Sequence, residues 1–133
     1  MKHSKIWVNG CFDVLHIGHI KLLEYARSKG DRLIVGIDSD QRVKNLKGES
    51  RPFNCESDRA EMLRSIVFVD DVVIFGSEDE MCDIISKKGV DLIVVGDDYK
   101  GRRVVGEHLC PVDFFTKIPG YSTTSILNDM KDI

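Results

Sequence analysis

Residues 6–19 read IWVNGCFDVLHIGH, and this stretch decides how the chain begins to fold. The apolar run Ile6–Val8 is typical of a buried strand. Further on, apolar side chains recur at helical spacing and Gly30 follows the last of them, which predicts a helix from about Gly18 to Lys29. Two glycines and two histidines therefore lie where a strand turns into a helix.

The alternation of apolar strand and amphipathic helix continues along the chain. The expected strands are Ile6–Val8, Arg32–Ile37, Val72–Phe75, Leu92–Val95 and Val112–Phe115. Further helices are expected at about Ser57–Ser65, from a capping box at Ser77 to Gly89, and at about Thr123–Lys131. Asn45–Glu56 has no clear periodicity and suits a mobile loop over a site. This order predicts one α/β domain over residues 1–133: a doubly wound, five-stranded parallel sheet of Rossmann-like type, with helices on both faces.

Composition narrows the class of protein. The chain has 133 residues, 42% of them apolar, and a net charge of −3 with no basic run, so we expect no nucleic-acid partner. It has no apolar stretch near the ~20 residues that cross a bilayer and no signal-peptide pattern, so we expect no membrane association and a cytoplasmic protein. Its four cysteines form no CxxC pair, which favours reduced thiols over a metal site or a disulfide frame.

Ligands of a doubly wound sheet bind outside the carboxyl ends of its strands. His16 and His19 lie there, at a helix N-terminus whose backbone N–H groups and dipole favour an anion. Gly10 and Gly18 would let phosphate oxygens approach the backbone. One histidine as a helix cap and the other as a packing residue is the plain alternative. A zinc site using Asp13 is disfavoured by the positive dipole end, so we expect no metal held by the protein itself.

The string N-G-C-F-D-x-L-H-x-G-H at residues 9–19 resembles the signature of the cytidylyltransferase-like nucleotidyltransferases. Three later segments follow in the same order as in that superfamily: Lys47-Gly48 with Arg59, then Val95–Tyr99, then Gly120–Thr124. The resemblance covers nearly the whole chain. It implies an enzyme that brings a phosphorylated acceptor in line with the α-phosphorus of a nucleoside triphosphate, releases pyrophosphate and forms no covalent intermediate.

The resemblance also implies roles for individual residues. His16, His19 and Lys47 would be catalytic: the histidines stabilise the α-phosphoryl transition state and the lysine reaches the phosphates of both substrates. Asp13 would hold the backbone of the loop. The residues expected to bind the nucleotide are Gly10, Cys11, Phe12, Asp13, His16, Gly18, His19, Gly96, Asp97, Asp98, Lys117, Tyr121, Ser122, Thr123 and Thr124.

The acceptor's phosphate would be bound by three basic residues, Lys47, Arg51 and Arg59. Lys117 stands where the cytidylyltransferases have arginine, which keeps the charge but loses the bidentate geometry. The implied cofactor is Mg²⁺ carried by the triphosphate, and the implied assembly is a homodimer. Ordinary surface, capping or turn roles remain the alternatives for Lys47, Arg51, Asp13 and the Asp97-Asp98 pair.

Two branches of the family look similar. Gly96-Asp97-Asp98 and Lys117 are similar to glycerol-3-phosphate cytidylyltransferase, whereas residues 46–54, LKGESRPFN, are similar to the adenylyltransferase domain that activates heptose 1-phosphate for lipopolysaccharide cores. The first motif favours CMP transfer from CTP to a small phosphorylated alcohol, as a precursor of a cell-surface polymer. AMP transfer from ATP to a sugar 1-phosphate is the alternative. A receiver-like signalling domain and a non-catalytic nucleotide sensor are hypotheses of a different class.

Overall fold

The computed structural model of the protein describes residues 3–116. Five strands and four α-helices alternate along this part of the chain. In chain order they are β1 (His3–Gly10), α1 (Ile17–Ser28), β2 (Gly30–Asp38), α2 (Asp40–Lys47), α3 (Glu56–Arg64), β3 (Asp71–Phe75), α4 (Glu78–Lys88), β4 (Leu92–Gly96) and β5 (Val112–Phe115). No helix within residues 3–116 has the length and apolar character needed to cross a membrane.

The five strands form one sheet in the order β3-β2-β1-β4-β5, and every neighbouring pair runs parallel. The chain builds outward from β1 in one direction and then returns to its other side, so β1 and β4 flank the point where the winding reverses. This arrangement confirms the predicted doubly wound sheet. It also places a ligand-binding crevice beside the carboxyl ends of β1 and β4.

Most element boundaries agree with the sequence to within two or three residues, but α2 was not predicted. Its N-cap is Ser39, whose Oγ accepts a hydrogen bond from the backbone N–H of Arg42 at 3.2 Å. Val43 is the one buried residue of this helix, so the apolar periodicity that announces a helix is missing. The prediction of a loop over Asn45–Glu56 is therefore wrong at its start, since α2 continues to Lys47. The helix predicted at Thr123–Lys131 lies outside the described residues.

The central strand is buried on both faces. Ile6 and Val8 pack into an apolar cluster with residues of α1 and α3, while Trp7 points to the opposite face and packs with residues of α4. All three side chains are at most 1% exposed. Successive residues of a strand point to opposite faces, so this short run anchors both layers of helices.

Trp7 fits because the neighbouring strand leaves room for its ring. A Cβ added at Gly36 would lie 2.3 Å from Trp7 Cζ2, far inside van der Waals contact. The two residues lie on adjacent strands of the sheet, where Asn9 is the register partner of Gly36. A glycine on β2 is therefore a packing requirement of the indole.

We expect Gly36→Ala to lower the free energy of unfolding by about 1–3 kcal/mol, because the buried ring and two strands must shift to admit one methyl group. Urea unfolding followed by the fluorescence of Trp7, the chain's one tryptophan, measures this. Gly76→Ala is the matched control, since the nearest atom to its added Cβ is 3.8 Å away. Equal stability of the two variants would contradict the packing argument.

Candidate active site

A cleft of about 560 Å³ opens at the carboxyl ends of β1, β2 and β4. Several residues predicted from the sequence line it: Gly10, Cys11, Phe12, His16, Gly18, His19, Lys47 and Gly96. The sheet thus brings the β1–α1 turn, the end of α2 and the end of β4 to one place. A cleft of this size, mainly apolar with a few converging polar groups, is typical of a small-molecule site.

The β1–α1 turn is shaped by Phe12, whose backbone adopts a left-handed conformation with φ of 51°. The ring is 5% exposed and its centroid lies 5.1 Å from that of His19. A Cβ at Gly10 would lie 3.1 Å from the Phe12 ring, so glycine lets the ring fold back over the end of β1. Phe12 therefore fixes the position of a histidine as well as filling the core.

The two histidines cap α1 reciprocally. His16 Nδ1 accepts a hydrogen bond from the backbone N–H of Gly18 at 3.1 Å, and His19 Nδ1 accepts from the backbone N–H of His16 at 3.2 Å. Their rings stack with centroids 3.8 Å apart. Because each Nδ1 is an acceptor, this network assigns the ring proton of each neutral histidine to Nε2. Capping uses Nδ1 of each ring, so it does not conflict with the predicted catalytic role of Nε2, which stays a prediction.

Asp13 is completely buried and binds a neighbouring loop rather than the cleft. Its carboxylate accepts hydrogen bonds from the backbone N–H groups of Phe53 and Asn54, both at 2.7 Å. The Asn54 side chain donates in return to the Asp13 carbonyl at 2.6 Å. Asp13 therefore holds the segment before α3 against the β1–α1 turn. It does not line the cleft, so direct nucleotide contact is not the role that this geometry indicates.

Arg59 is also completely buried, which argues against its predicted role as a phosphate ligand. Its guanidinium donates to the backbone carbonyls of Asn54, Cys11 and Asp38 at 2.8–3.0 Å, and to Asp40 Oδ1 at 2.8 Å. These bonds use Nε and both terminal nitrogens. Arg59 therefore joins the ends of β1 and β2 to the start of α2, and we no longer assign it to the acceptor.

The guanidinium of Arg51 lies beside the carboxylate of Asp13. Its Nε lies 3.4 Å from Asp13 Oδ2 as an ion pair, yet Nε and Nη2 are buried with no hydrogen-bond partner within residues 3–116. A buried guanidinium with unsatisfied donors is a candidate for binding an anionic ligand. Arg51 does not line the cleft described above, so its role as an acceptor-phosphate ligand stays a prediction.

Lys47 ends α2 and faces the β1–α1 turn. Gly48 follows it with φ of 106°, a conformation that glycine adopts readily and that turns the chain away from the helix. Burial raises the pKa of the Cys11 thiol, and the positive charges of Lys47 and Arg59 partly oppose that rise. Lys47 also lines the same cleft as Cys11 and the histidines, which places its ammonium on the side of α2 that faces the turn.

Only some of the nucleotide-binding residues predicted after β4 line the cleft. Gly96 and Tyr99 line the cleft, whereas Asp97 and Asp98 belong to the same single 3₁₀ turn, Asp97–Tyr99, and do not line it. The other predicted nucleotide ligands, Lys117 and the terminal Tyr121, Ser122, Thr123 and Thr124, lie outside the described residues.

Five polar residues that the sequence did not single out also line the cleft: Asn9, Asp38, Arg42, Glu78 and Arg103. Three carried a usable signal, because Asn9 and Asp38 lie at the ends of β1 and β2, and Glu78 follows β3 closely. Arg42 lies on α2, which the sequence analysis did not predict, so its position in the cleft could not be predicted either. Arg103 is brought in by an ion pair with Glu78, with Nη2 3.1 Å from Oε2.

No group of three or more His, Cys, Asp or Glu side chains able to hold a metal ion occurs within residues 3–116. The cations facing the cleft are instead side chains, Arg42, Lys47 and Arg103. Together with the N-terminus of α1, they make a site suited to anions of more than one phosphate group.

The family model described as cytidylyltransferase-like matches residues 7–127. The chain belongs to the cytidylyltransferase-like family. This membership confirms the resemblance drawn from the H-x-G-H string and disfavours the receiver-like hypothesis.

Two known proteins are similar to nearly the whole of this chain. The bifunctional protein HldE of Campylobacter fetus subsp. fetus (strain 82-40) is 48% identical over 129 residues, 96% of this chain and 28% of the relative. The bifunctional protein HldE of Campylobacter jejuni (strain RM1221) is 50% identical over 128 residues, again 96% of this chain and 28% of the relative. The chain thus spans little more than a quarter of the length of these relatives.

A solved structure is similar over almost its whole length. The lipopolysaccharide core biosynthesis protein from Thermoplasma volcanium GSS1 has a TM-score of 0.67 and 25% identity, covering 85% of this chain and 97% of that one. The fold therefore agrees between the sequence prediction, the structure and the comparison.

Arg59→Lys tests the new assignment of that residue. We expect it to lower the free energy of unfolding by roughly 3 kcal/mol, because an ammonium cannot reach all four acceptors and leaves buried carbonyls unpaired. Chemical unfolding measures this. Arg64→Lys, at the last position of α3, is the control. A parent-like stability with a raised KM for the acceptor would instead restore Arg59 as a phosphate ligand.

Proposed function

We propose that the protein transfers AMP from ATP to a sugar 1-phosphate, of which heptose 1-phosphate is the leading candidate, and releases pyrophosphate. The observation that carries the transfer reaction is the reciprocal His16–His19 cap, set at the mouth of a cleft at the sheet's reversal point. The choice of substrates is supported by the relatives. This choice of ATP and a sugar 1-phosphate replaces the preference for CTP and an alcohol phosphate that Gly96-Asp97-Asp98 suggested.

Three observations favour the sugar branch. The relatives at 48–50% identity are named bifunctional protein HldE, and the solved relative is named for lipopolysaccharide core biosynthesis. The segment at residues 46–54 also resembles the heptose branch. Of the competing signal, Gly96 lines the cleft, Asp97 and Asp98 do not, and Lys117 lies outside the described residues. The acidic pair therefore has less bearing on which nucleotide binds.

The chemistry needs positioning and charge stabilisation rather than a nucleophilic side chain. A phosphate oxygen of the acceptor attacks the α-phosphorus, a new P–O bond forms, and the bond between the α-phosphorus and the bridging oxygen breaks as pyrophosphate leaves. The triphosphate lies over the N-terminus of α1, where backbone N–H groups and the helix dipole meet negative charge. Nε2 of His16 and of His19 donates to the oxygens of the α-phosphorus as their charge increases.

Lys47 lies between the two substrates. Its position at the end of α2, near Cys11, lets the ammonium bridge the acceptor phosphate and the triphosphate, and so offsets their repulsion. Mg²⁺ would come as part of the triphosphate substrate, and there it would supply positive charge for the leaving pyrophosphate. The side chains facing the cleft suit that arrangement, because they supply cations and donors rather than a cage of carboxylates.

Pyrophosphate release distinguishes the two branches of the family. With Mg²⁺ present, ATP and CTP are each tested against a panel of sugar 1-phosphates and against sn-glycerol 3-phosphate. We expect turnover with ATP and a sugar 1-phosphate, with at least tenfold lower kcat/KM for CTP. Preferred turnover of CTP with glycerol 3-phosphate would contradict the proposal and assign the protein to the other branch.

His16→Asn separates capping from catalysis. Asparagine is a strong N-cap, so the helix keeps its side-chain acceptor and the free energy of unfolding stays within about 0.5 kcal/mol of the parent, whereas His16→Ala loses about 1 kcal/mol. Both variants lose the Nε2 donor, and we expect kcat to fall by roughly 100- to 1,000-fold in each. Parent-like turnover in His16→Asn would show that His16 is only a cap.

A further inference from the structure

Two ion pairs line the cleft near the end of β2 and the first turns of α2 and α4. Arg42 Nε is 2.8 Å from Asp38 Oδ1, and Arg103 Nη2 is 3.1 Å from Glu78 Oε2. All four side chains line the cleft. Both arginines contribute to its positive charge, but the transfer steps described above assign no specific contact to any of the four residues.

Arg42 is held in a fixed orientation. Besides its bond to Asp38, its guanidinium carbon lies 5.6 Å from the centroid of the Phe75 ring, a cation–π contact. The side chains of Arg42 and Asp38 are only 20% and 16% exposed. Within the described part of the chain, no hydrogen bond occupies the two terminal nitrogens of Arg42 or the second oxygen of Asp38. A preorganised pair therefore keeps donors and an acceptor for a ligand.

Arg42 and His19 contact apolar clusters on opposite faces of the sheet. Phe75, under Arg42, belongs to the apolar cluster of Trp7 and Met81, whereas Phe12, which contacts His19, belongs to the cluster on the other face of the sheet. The two clusters are separated by the sheet itself. A ligand that spans the cleft would therefore meet the phosphate chemistry at one part and the Asp38–Arg42 pair at another.

Lys47 connects these two parts. It lies on the same helix as Arg42, five residues later, and its charge acts on Cys11 of the β1–α1 turn. An acceptor whose phosphate is bound at Lys47 can therefore extend the rest of its body along α2 towards Arg42 and Asp38. The nucleobase fits less well there, because a flat ring is better served by the apolar residues at the ends of β4 and β5, such as Val95, Tyr99 and Phe115.

Building on the proposed function, we propose that Asp38 and Arg42 form the subsite that binds the hydroxyl groups of the acceptor and makes the enzyme prefer a sugar phosphate to a smaller alcohol phosphate. A carboxylate accepts from one hydroxyl while a planar guanidinium donates to its neighbour, so the pair matches two adjacent hydroxyls of a sugar ring. Glu78 and Arg103 border this subsite. A site built to bond a hydroxyl discriminates strongly against a substrate that lacks it, because its own polar groups are then left unpaired.

The same contacts have a plain alternative, since Asp38 and Arg42 are four residues apart and could merely support the start of α2. The chain offers a matched control in Asp83 and Lys87 of α4, an ion pair of the same spacing at 2.9 Å that does not line the cleft. If Asp38 and Arg42 were purely structural, their variants would lower the free energy of unfolding but leave the choice of acceptor like that of the parent and of the more exposed control pair. A binding pair would alter only the acceptor's kinetic constants.

The experiment compares Asp38→Asn, Arg42→Ala and Arg42→Lys with Lys87→Ala. Initial rates with ATP are measured against the best sugar 1-phosphate and against sn-glycerol 3-phosphate. In Asp38→Asn and Arg42→Ala we expect the KM for the sugar phosphate to rise at least tenfold, with the KM for ATP within twofold of the parent. In the same two variants, the ratio of kcat/KM for the sugar phosphate to kcat/KM for glycerol phosphate falls at least tenfold. Arg42→Lys keeps only part of the parent's ratio, because a single ammonium cannot make the paired hydrogen bonds of a planar guanidinium. Lys87→Ala stays like the parent.

Parent-like selectivity in Asp38→Asn and Arg42→Ala would overturn the subsite. A parent enzyme that prefers glycerol 3-phosphate would overturn it as well, while leaving nucleotidyl transfer intact. If the parent releases no pyrophosphate with any acceptor, the proposed function fails, and titration calorimetry with the sugar 1-phosphates then decides the subsite separately. Binding that is at least tenfold weaker in Arg42→Ala than in the parent and Lys87→Ala supports it, and equal or absent binding overturns it.

Discussion

The site depends on one buried guanidinium. Arg59 binds backbone carbonyls at the ends of β1 and β2 and before α3, and its fourth partner is the side chain of Asp40 at the start of α2. Parallel strands leave their terminal carbonyls without sheet partners, and a buried carbonyl without a donor is costly. Arginine alone among the side chains has five donors in a rigid fork, so a single residue can satisfy groups from several segments. The convergence of those segments is what creates the cleft.

Asp13 complements this arrangement with the opposite charge. It binds backbone N–H groups of residues 53 and 54 just as Arg59 binds carbonyls, so both residues hold main chain rather than ligand. The division is physically sensible, because a group consumed in fixing the backbone has few bonds left for a substrate. In the proposed reaction, the groups that act on phosphate are instead the histidines, through Nε2, and Lys47, through its ammonium.

The elements that were predicted correctly are those with a recognisable pattern in their own sequence. The central strand, α1 and α4 each carry their own signal: a continuous apolar run, a helical stripe, or a Ser77 cap whose Oγ accepts from the N–H of Glu80 at 3.1 Å. Helix α2 has no such stripe, and its absence from the prediction hid Arg42 entirely. The role of Arg59 was missed for a different reason. A motif match gives a residue's position but not its orientation, and its partners lie up to 48 residues away along the chain.

The histidine pair explains why a short string predicts function so well. A histidine that only capped a helix could be exchanged for serine or asparagine, which are better caps. Here each imidazole presents one nitrogen to the backbone and so fixes the direction of the other, and the two rings stack at 3.8 Å. The spacing of three residues is what allows both caps to form at once, because the N-cap and the third helical residue face each other across the first turn. The H-x-G-H pattern therefore encodes a geometry: one ring accepts from a glycine N–H, the other accepts from a backbone N–H, and both rings stand at the positive end of α1, where the proposed reaction places phosphate.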